Sequence, residues 1–204
     1  MPVNVKNVPK LSTLIPPALL PWIALAIIST VLQMIPVAVD WLPYERIAIG
    51  EGEWWRLLTG NLVHLGWGHL GLNVAGLLAI GWLFAEDYAV KDWGWVFLTS
   101  GLATSIGLYL FNPEIAWCVG LSGVLHGLFA AGAIAWLFDG VMAGAWLLAG
   151  AAAKIGYEQL FGAMPMSAET IGGGVVTDAH LWGAIGGIIA GSVIELWRRK
   201  RPRL

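Results

Sequence analysis

Apolar stretches of about 20 residues recur along the whole chain, and this feature limits the folds that are open to it. Of its 204 residues, 58% are hydrophobic and 12% are charged, whereas roughly a quarter of the residues in a soluble domain are charged. Stretches of this length and composition are typical of membrane-spanning helices. We therefore predict an all-α membrane protein in a lipid bilayer, with six spans at about residues 17–39, 68–84, 93–111, 122–138, 141–161 and 178–197.

The basic residues are concentrated near the two ends of the chain. Five of the eleven lie in a tail at about residues 198–204, and Lys6 and Lys10 precede the first span. Because cytoplasmic segments of membrane proteins are enriched in Lys and Arg, both termini are predicted to be cytoplasmic, which requires an even number of spans. The prediction is a single membrane domain over residues 1–204, with a cytoplasmic segment at about 1–12. The net charge of −2 gives no indication of a nucleic-acid partner.

This topology brings several polar side chains to one depth in the membrane. The connection at 40–66 and the loop at 162–177 then face outward, so His69 and Asn73 lie near the outer end of the second span. Ser122 and His180 begin the fourth and sixth spans on the same side. Polar groups are expensive in membrane helices, so a functional reason is the default interpretation. A serine, a histidine and imidazole or amide donors are the groups that acyl transfer needs.

Ser122 lies in the sequence Gly120-Leu121-Ser122-Gly123, at the predicted start of a helix. The free N–H groups of a helix N-terminus can point toward a developing oxyanion, and glycines let the backbone pass close to the serine. The alternative is a helix-capping serine beside two packing glycines. The motif alone does not decide between these two interpretations.

His180 is the candidate general base. Gly183 and Gly187 follow it four residues apart, a spacing that allows a close helix–helix approach and would bring His180 to Ser122. A histidine that caps the helix or faces interfacial water is the alternative. His126 lies four residues after Ser122 on the same helix face, and it could be the base itself or a support for His180. Spacing does not decide this.

His69 and Asn73 are also four residues apart and share a helix face, so both could donate hydrogen bonds to an oxyanion. Hydrogen bonds between helices are the alternative role for these two side chains. His64, five residues before His69, is predicted to be structural.

The acidic residues of the later spans are predicted to have structural roles. Lys154 and Glu158 form an i,i+4 pair and are predicted to neutralise each other inside the fifth span. Asp178 could be a third catalytic residue, but an acid at a helix N-terminus is the simpler interpretation. Glu195 is predicted to pair with a base at the cytoplasmic end.

Taken together, the motifs resemble those of the rhomboid family of intramembrane serine proteases over nearly the full chain. Trp55-Arg56 resembles the Trp-Arg pair of the first outer loop in that family. His64, His69 and Asn73 reproduce the family's His-x4-His-x3-Asn spacing.

The later motifs continue the resemblance in the same order. The segment 120–123 is similar to the Gly-x-Ser-Gly nucleophile motif, and Ala179-His180 with Gly183 and Gly187 is similar to the base motif of the sixth helix.

The resemblance implies a six-helix bundle with a catalytic dyad of Ser122 and His180 and no obligatory acid. It further implies an oxyanion site formed by His69, Asn73 and the Ser122 backbone N–H, supported by Gly120, Gly123 and His126. The loop at 162–177 and the fifth helix would form the cap and gate through which a membrane-anchored protein substrate enters. No cofactor and no metal ion are implied.

His126 stands where many rhomboids carry a tyrosine that stacks on the catalytic histidine. This difference and the small size resemble the rhombosortase subgroup. That resemblance implies exported bacterial substrates with a C-terminal tail made of a glycine-rich motif, a membrane helix and a basic cluster. It also implies a bacterial inner membrane with the active site toward the periplasm, and an acyl group that passes to water or to an amine.

Three other functions are compatible with parts of the sequence. An inactive rhomboid-like protein would bind membrane substrates without cutting them, although Ser122 and His180 are both present. A haem or metal protein would use the four histidines as ligands, and a small transporter would show an inverted repeat, which is not visible here. The sequence leaves the oligomeric state open.

Overall fold

The computed structural model describes residues 16–165 and 173–200. Within this part of the chain, six helices of 14 residues or more account for most of the structure. They are α1 (Leu20–Gln33, preceded by a 3₁₀ turn at Pro17–Leu19), α5 (Trp67–Phe84), α6 (Val90–Phe111), α7 (Ser122–Phe138), α8 (Ala143–Phe161) and α9 (Thr177–Lys200).

Three of these helices, α5, α6 and α9, are long and apolar enough to cross a membrane. The segments Pro17–Gln33 and Ser122–Phe138 are apolar but shorter. The sequence-based boundaries of the last five spans agree with the observed helices to within about three residues, which is the accuracy expected for helix ends. The helical character of the predicted fold is therefore confirmed.

The predicted first span is wrong at its C-terminal end. The sequence predicted one helix to Val39, but α1 ends at Gln33, and a separate short helix, α2 (Ala38–Trp41), follows. Pro36 explains the break, because its ring clashes with the preceding turn and it has no N–H to donate. The proline also disfavours a helical conformation at Ile35.

The connection between α1 and α5 is ordered by a buried arginine. Arg56 is 5% exposed and lies in α4 (Arg56–Thr59), which follows α3 (Arg46–Gly50). Its guanidinium donates to the carbonyls of Pro43 at 3.0 Å and Asp40 at 3.3 Å and pairs with Glu53. One side chain thus fixes three points of a loop that packs beside the helices.

A small sheet joins the connection between α1 and α5 to the segment before α7. The all-α prediction did not include this sheet. Strand β1 (Tyr44–Glu45) pairs antiparallel with β2 (Trp117–Cys118), so that Tyr44 lies opposite Cys118. The pairing is only two residues long, but it positions the chain just before Ser122.

Helix α7 is the centre of the bundle. Eleven of its 17 residues are buried, and it packs against α5, α6, α8 and most extensively α9. Glycine and alanine dominate its buried face, which allows neighbouring backbones to approach closely. The predicted ion pair at the far end of the bundle is also present, with Arg198 Nη1 2.9 Å from Glu195 Oε1.

Several sequence-based predictions concern residues outside the described part of the chain. They are the cytoplasmic segment at about 1–12, the end of the basic tail at 201–204, and the middle of the predicted cap loop at 166–172.

Candidate active site

The close approach of α7 and α9 that the sequence predicted is present. A Cβ atom added to Gly183 would lie 1.9 Å from the carbonyl oxygen of Gly123, and one added to Gly187 would lie 2.0 Å from that of Gly127. Only glycine fits at these positions, because the two backbones are in direct contact. Gly123 therefore acts here as a packing residue between helices, and a Cβ atom added to it would lie 2.7 Å from the carbonyl oxygen of Ala179 on α9.

This contact brings together the two principal candidate residues. His180 Nε2 lies 3.0 Å from Ser122 Oγ. His180 is buried, at 5% exposure, and Ser122 is half-buried at the first position of α7. The distance and the atoms are those of a serine hydroxyl donating a hydrogen bond to an imidazole that could accept its proton.

A cavity of about 200 Å³ opens beside Ser122, and His69 and Gly120 also line it. Gly120 has a φ of +117°, and a Cβ atom there would lie 2.7 Å from His69 Nε2, so only glycine lets the imidazole reach this position. The N–H of Leu65 donates to His69 Nδ1 at 3.4 Å, which leaves the proton of the neutral ring on Nε2. His69 thus presents a donor at the cavity that contains the serine.

The structure does not bring Asn73 to this cavity. Its side-chain amide donates to the carbonyl oxygen of His69, one turn earlier in α5, at 3.1 Å. Asn73 is buried at 4% exposure, and it is not among the described residues that line the cavity. Its observed contact fixes the helix turn that carries His69.

Cys118 also lines the cavity that contains Ser122. Burial raises the pKa of its thiol to about 12. The group is therefore a neutral thiol near pH 7 and a poor nucleophile.

His126 packs on His180 and does not contact the serine hydroxyl. The two rings are stacked, with centroids 4.2 Å apart and planes 19° from parallel. His126 Nδ1 bonds to the carbonyl oxygen of Ser122 at 2.7 Å, and its Nε2 lies 2.8 Å from Lys154 Nζ. Because both nitrogens are engaged elsewhere, the geometry favours a supporting position for His126 over the role of base.

Glu158 is the residue whose contact the sequence did not predict. Its Oε2 pairs with Lys154 Nζ at 2.7 Å, as the i,i+4 spacing predicted, but the same oxygen lies 2.9 Å from His180 Nδ1. Asp178, which the sequence offered as a third catalytic residue, is in the first turn of α9. The predicted topology contained a usable signal, because it placed Glu158 near the outer end of the fifth span, level with Ser122.

The ligand-type atoms of His126, Glu158 and His180 all lie within 4.8 Å of one another, which is close enough to hold a metal ion. The ammonium group of Lys154 contacts all three, at 2.8, 2.7 and 3.1 Å. This built-in cation occupies the position that a metal ion would take.

His64 lies beneath His69, with the two rings edge to face and their centroids 5.1 Å apart. It is 1% exposed, and neither ring nitrogen has a hydrogen-bond partner among the described residues. Burial lowers the pKa of His64 to about 3, with a smaller contribution from His69. A neutral ring that packs under the donor of the cavity agrees with the predicted structural role.

Comparison with known proteins identifies the family. A model of the Rhomboid domain matches residues 51–197, which is well over half of the chain. The chain belongs to the rhomboid family. Rhomboids are generally intramembrane serine proteases, although some members are inactive, and those that are proteases act on membrane proteins within the bilayer. Family membership and the apolar helices make this rhomboid an integral membrane protein.

Individual relatives match only part of this rhomboid. The rhomboid protease GluP of Bacillus subtilis (strain 168) is 33% identical over 87 residues, which are 43% of this chain and 17% of GluP. The putative rhomboid protease YdcA of the same strain is 32% identical over 84 residues, 41% of this chain and 42% of YdcA. RHOMBOID-like protein 2 of Arabidopsis thaliana is 36% identical over 91 residues, 45% of this chain and 27% of the relative. The chain thus spans less than half of the length of each.

Proposed function

We propose that this rhomboid is an intramembrane serine endopeptidase in which Ser122 is the nucleophile and His180 is the general base. The observation that carries the proposal is the 3.0 Å contact between Ser122 Oγ and His180 Nε2 at the wall of a cavity. A half-buried serine hydroxyl that donates to a buried imidazole is an arrangement suited to acyl transfer.

In the proposed reaction, Ser122 Oγ attacks the scissile carbonyl carbon while its proton moves to His180 Nε2. The carbonyl π electrons move onto the oxygen, where the His69 Nε2–H and the backbone N–H of Ser122 would stabilise the negative charge. The N–H of Ser122 is available because the first N–H groups of a helix have no partner within it. His180 then gives its proton to the leaving amine, and the acyl-enzyme remains.

The proposed setting is a six-span bundle with both termini cytoplasmic and the cavity near the outer face. The six long helices support the number of spans, and the basic residues Arg198 to Lys200 at the end of α9 support a cytoplasmic C-terminus. Helices α7 and α9 begin at the same end of the bundle, opposite the basic end of α9, which supports a cavity near the outer face. In a bacterial inner membrane the cavity would face the periplasm.

The proposed substrates are exported proteins with a C-terminal glycine-rich motif, membrane helix and basic cluster, as in rhombosortases. Support comes from the stacked His126 in place of a tyrosine. Co-expression with a tagged model protein that carries such a tail tests this proposal. Cleavage that requires both the glycine-rich motif and the basic cluster would support it, and equal cleavage of tails without them would contradict it. Mass spectrometry of the product separates transfer to water from transfer to an amine.

The catalytic proposal is tested by labelling the detergent-solubilised protein with a fluorophosphonate–rhodamine probe. We expect labelling of the wild type and none of Ser122→Ala or His180→Ala. Ser192→Ala is the matched control, because Ser192 lies 12 residues beyond His180 on α9, about 18 Å along the helix, and should label normally. Absence of labelling in folded wild-type protein would contradict the proposal and favour an inactive rhomboid that only binds membrane proteins.

A further inference from the structure

The hydrogen-bond partners of His126 define its proton positions. A backbone carbonyl can only accept, so the contact of His126 Nδ1 with the Ser122 carbonyl, at 2.7 Å, requires a proton on Nδ1. Nε2 of the neutral ring is then a lone pair that accepts from the Lys154 ammonium at 2.8 Å. This uses one donor of Lys154 and fixes its head group beside the catalytic pair.

The Nδ1 atom of His180 has two neighbours with opposite requirements. Glu158 Oε2, at 2.9 Å, can only accept a hydrogen bond, whereas Lys154 Nζ, at 3.1 Å, can only donate one. If Glu158 accepts, the proton is on Nδ1 and Nε2 is free to receive the proton of Ser122. If Lys154 donates, the proton is on Nε2 and the ring cannot act as the base.

We propose that Glu158 is the positioning residue that completes a Ser122–His180–Glu158 triad, with Lys154 as the cation that balances its buried charge. The inference rests on the proposed function and extends it, since the family resemblance implied a dyad. Glu158 holds the Nδ1–H and so selects the productive tautomer of His180. It takes no proton itself.

The charges agree with this assignment in both states of the reaction. Before attack, the Glu158 carboxylate and the Lys154 ammonium neutralise each other at 2.7 Å while His180 is neutral. When Ser122 Oγ bonds to the carbonyl carbon, its proton moves to Nε2 and the ring becomes an imidazolium. The carboxylate at 2.9 Å then stabilises that new charge. The carboxylate is buried, with its side chain 3% exposed, so water screens this interaction little.

The location of the triad acid has a structural consequence. Ser122 and His180 are on α7 and α9, whose backbones touch, but Glu158 is on α8, which makes far fewer contacts with α9. The productive tautomer therefore depends on the position of a third, less firmly packed helix.

One single and one double variant test the proposal through the rate of fluorophosphonate labelling. Glu158→Gln keeps the shape but removes the charge and frees Lys154 to donate to His180 Nδ1. Loss of the acid in a comparable triad costs about 10⁴-fold, and we expect a loss of about 10²- to 10⁴-fold in the maximal labelling rate. The half-saturating probe concentration should change by less than about twofold, because Glu158 does not touch the bound probe.

The double variant Lys154→Met with Glu158→Gln separates this role from a structural one. Removing the competing donor should raise the labelling rate at least about tenfold above that of Glu158→Gln. A purely structural role predicts a double variant that is as slow as Glu158→Gln or slower. The control is Gln159→Ala, an exposed neighbour on α8 that should label like the wild type. Thermal unfolding of each variant accounts for any loss of folded protein.

The possible failures are distinguishable. If the wild type labels at Ser122 but Glu158→Gln labels at the same rate, the triad is overturned while the proposed protease function stands. If the double variant shows no recovery, the tautomer argument is overturned. If the wild type itself does not label, the proposed function fails.

Discussion

The contact between α7 and α9 predicts a severe effect from adding a single methyl group. In Gly183→Ala, the new Cβ atom would lie 1.9 Å from the carbonyl oxygen of Gly123, about 1.1 Å short of the 3.0 Å that real Cβ atoms keep. The neighbouring oxygen is backbone and the new methyl group is fixed to its Cα atom, so neither can rotate away and the helices must separate by about this amount. His180 is three residues from Gly183, so the contact of 3.0 Å between Ser122 Oγ and His180 Nε2 would lengthen to about 4 Å, beyond hydrogen-bond range.

A displacement of this size costs about 10²-fold in rate when it separates reacting groups. Overpacking also costs about 1–3 kcal/mol of stability, which outweighs the roughly 1 kcal/mol that Gly→Ala adds through helix propensity. We therefore expect Gly183→Ala to lose both activity and thermal stability, measured by fluorophosphonate labelling and by unfolding in detergent.

Two further glycines provide a graded series. A Cβ atom on Gly191, also on α9, would lie 3.0 Å from Ala131 Cα, and one on Gly94, on α6, would have no neighbour within 4 Å. We expect Gly94→Ala to keep the highest labelling activity, Gly191→Ala an intermediate activity and Gly183→Ala the lowest. Full labelling and an unchanged melting temperature in Gly183→Ala would refute the argument that backbone contact sets the distance between Ser122 and His180.

Two predictions concern stability. Burial lowers the pKa of His64 to about 3 from about 6.5 in the unfolded chain, so the unfolded state binds more protons between these values. The contribution of His64 to the free energy of unfolding is complete above about pH 6.5. Below that value it falls by about 1.4 kcal/mol for each pH unit, down to about pH 3. His64→Phe should therefore lose less stability than the wild type between about pH 7 and about pH 5 in thermal unfolding, and an equal loss would contradict the prediction. Arg56→Met removes charged hydrogen bonds to Pro43, Asp40 and Glu53. We expect the free energy of unfolding to fall by about 3 kcal/mol in the same assay. A change below about 0.5 kcal/mol would show that the loop does not depend on Arg56.

The sequence was sufficient to predict most of the fold. Long apolar stretches have few stable arrangements, so the helices 67–84, 90–111, 122–138, 143–161 and 177–200 lie close to the predicted spans. Hydrophobicity alone did not predict the end of the first helix, because Pro36 interrupts the helix inside an apolar stretch. The pairing of β1 with β2 joins Tyr44 to Cys118, and no local pattern predicts a contact of two residues over such a distance in the chain.

Local motifs made Ser122 and His180 candidates, and the resemblance to the rhomboid family paired them. The glycine spacing predicted the helix contact that places them 3.0 Å apart. A pair of glycines four apart defines one helix face, and that face is where a second backbone can approach. The contact of Glu158 with His180 was not predictable in this way. Its spacing from Lys154 already gave each charge a partner, so nothing in the sequence required another. Only the packing of α8 against α7 and α9 placed the same carboxylate oxygen 2.9 Å from His180 Nδ1, because the rotation of a helix about its axis depends on every neighbour that it contacts.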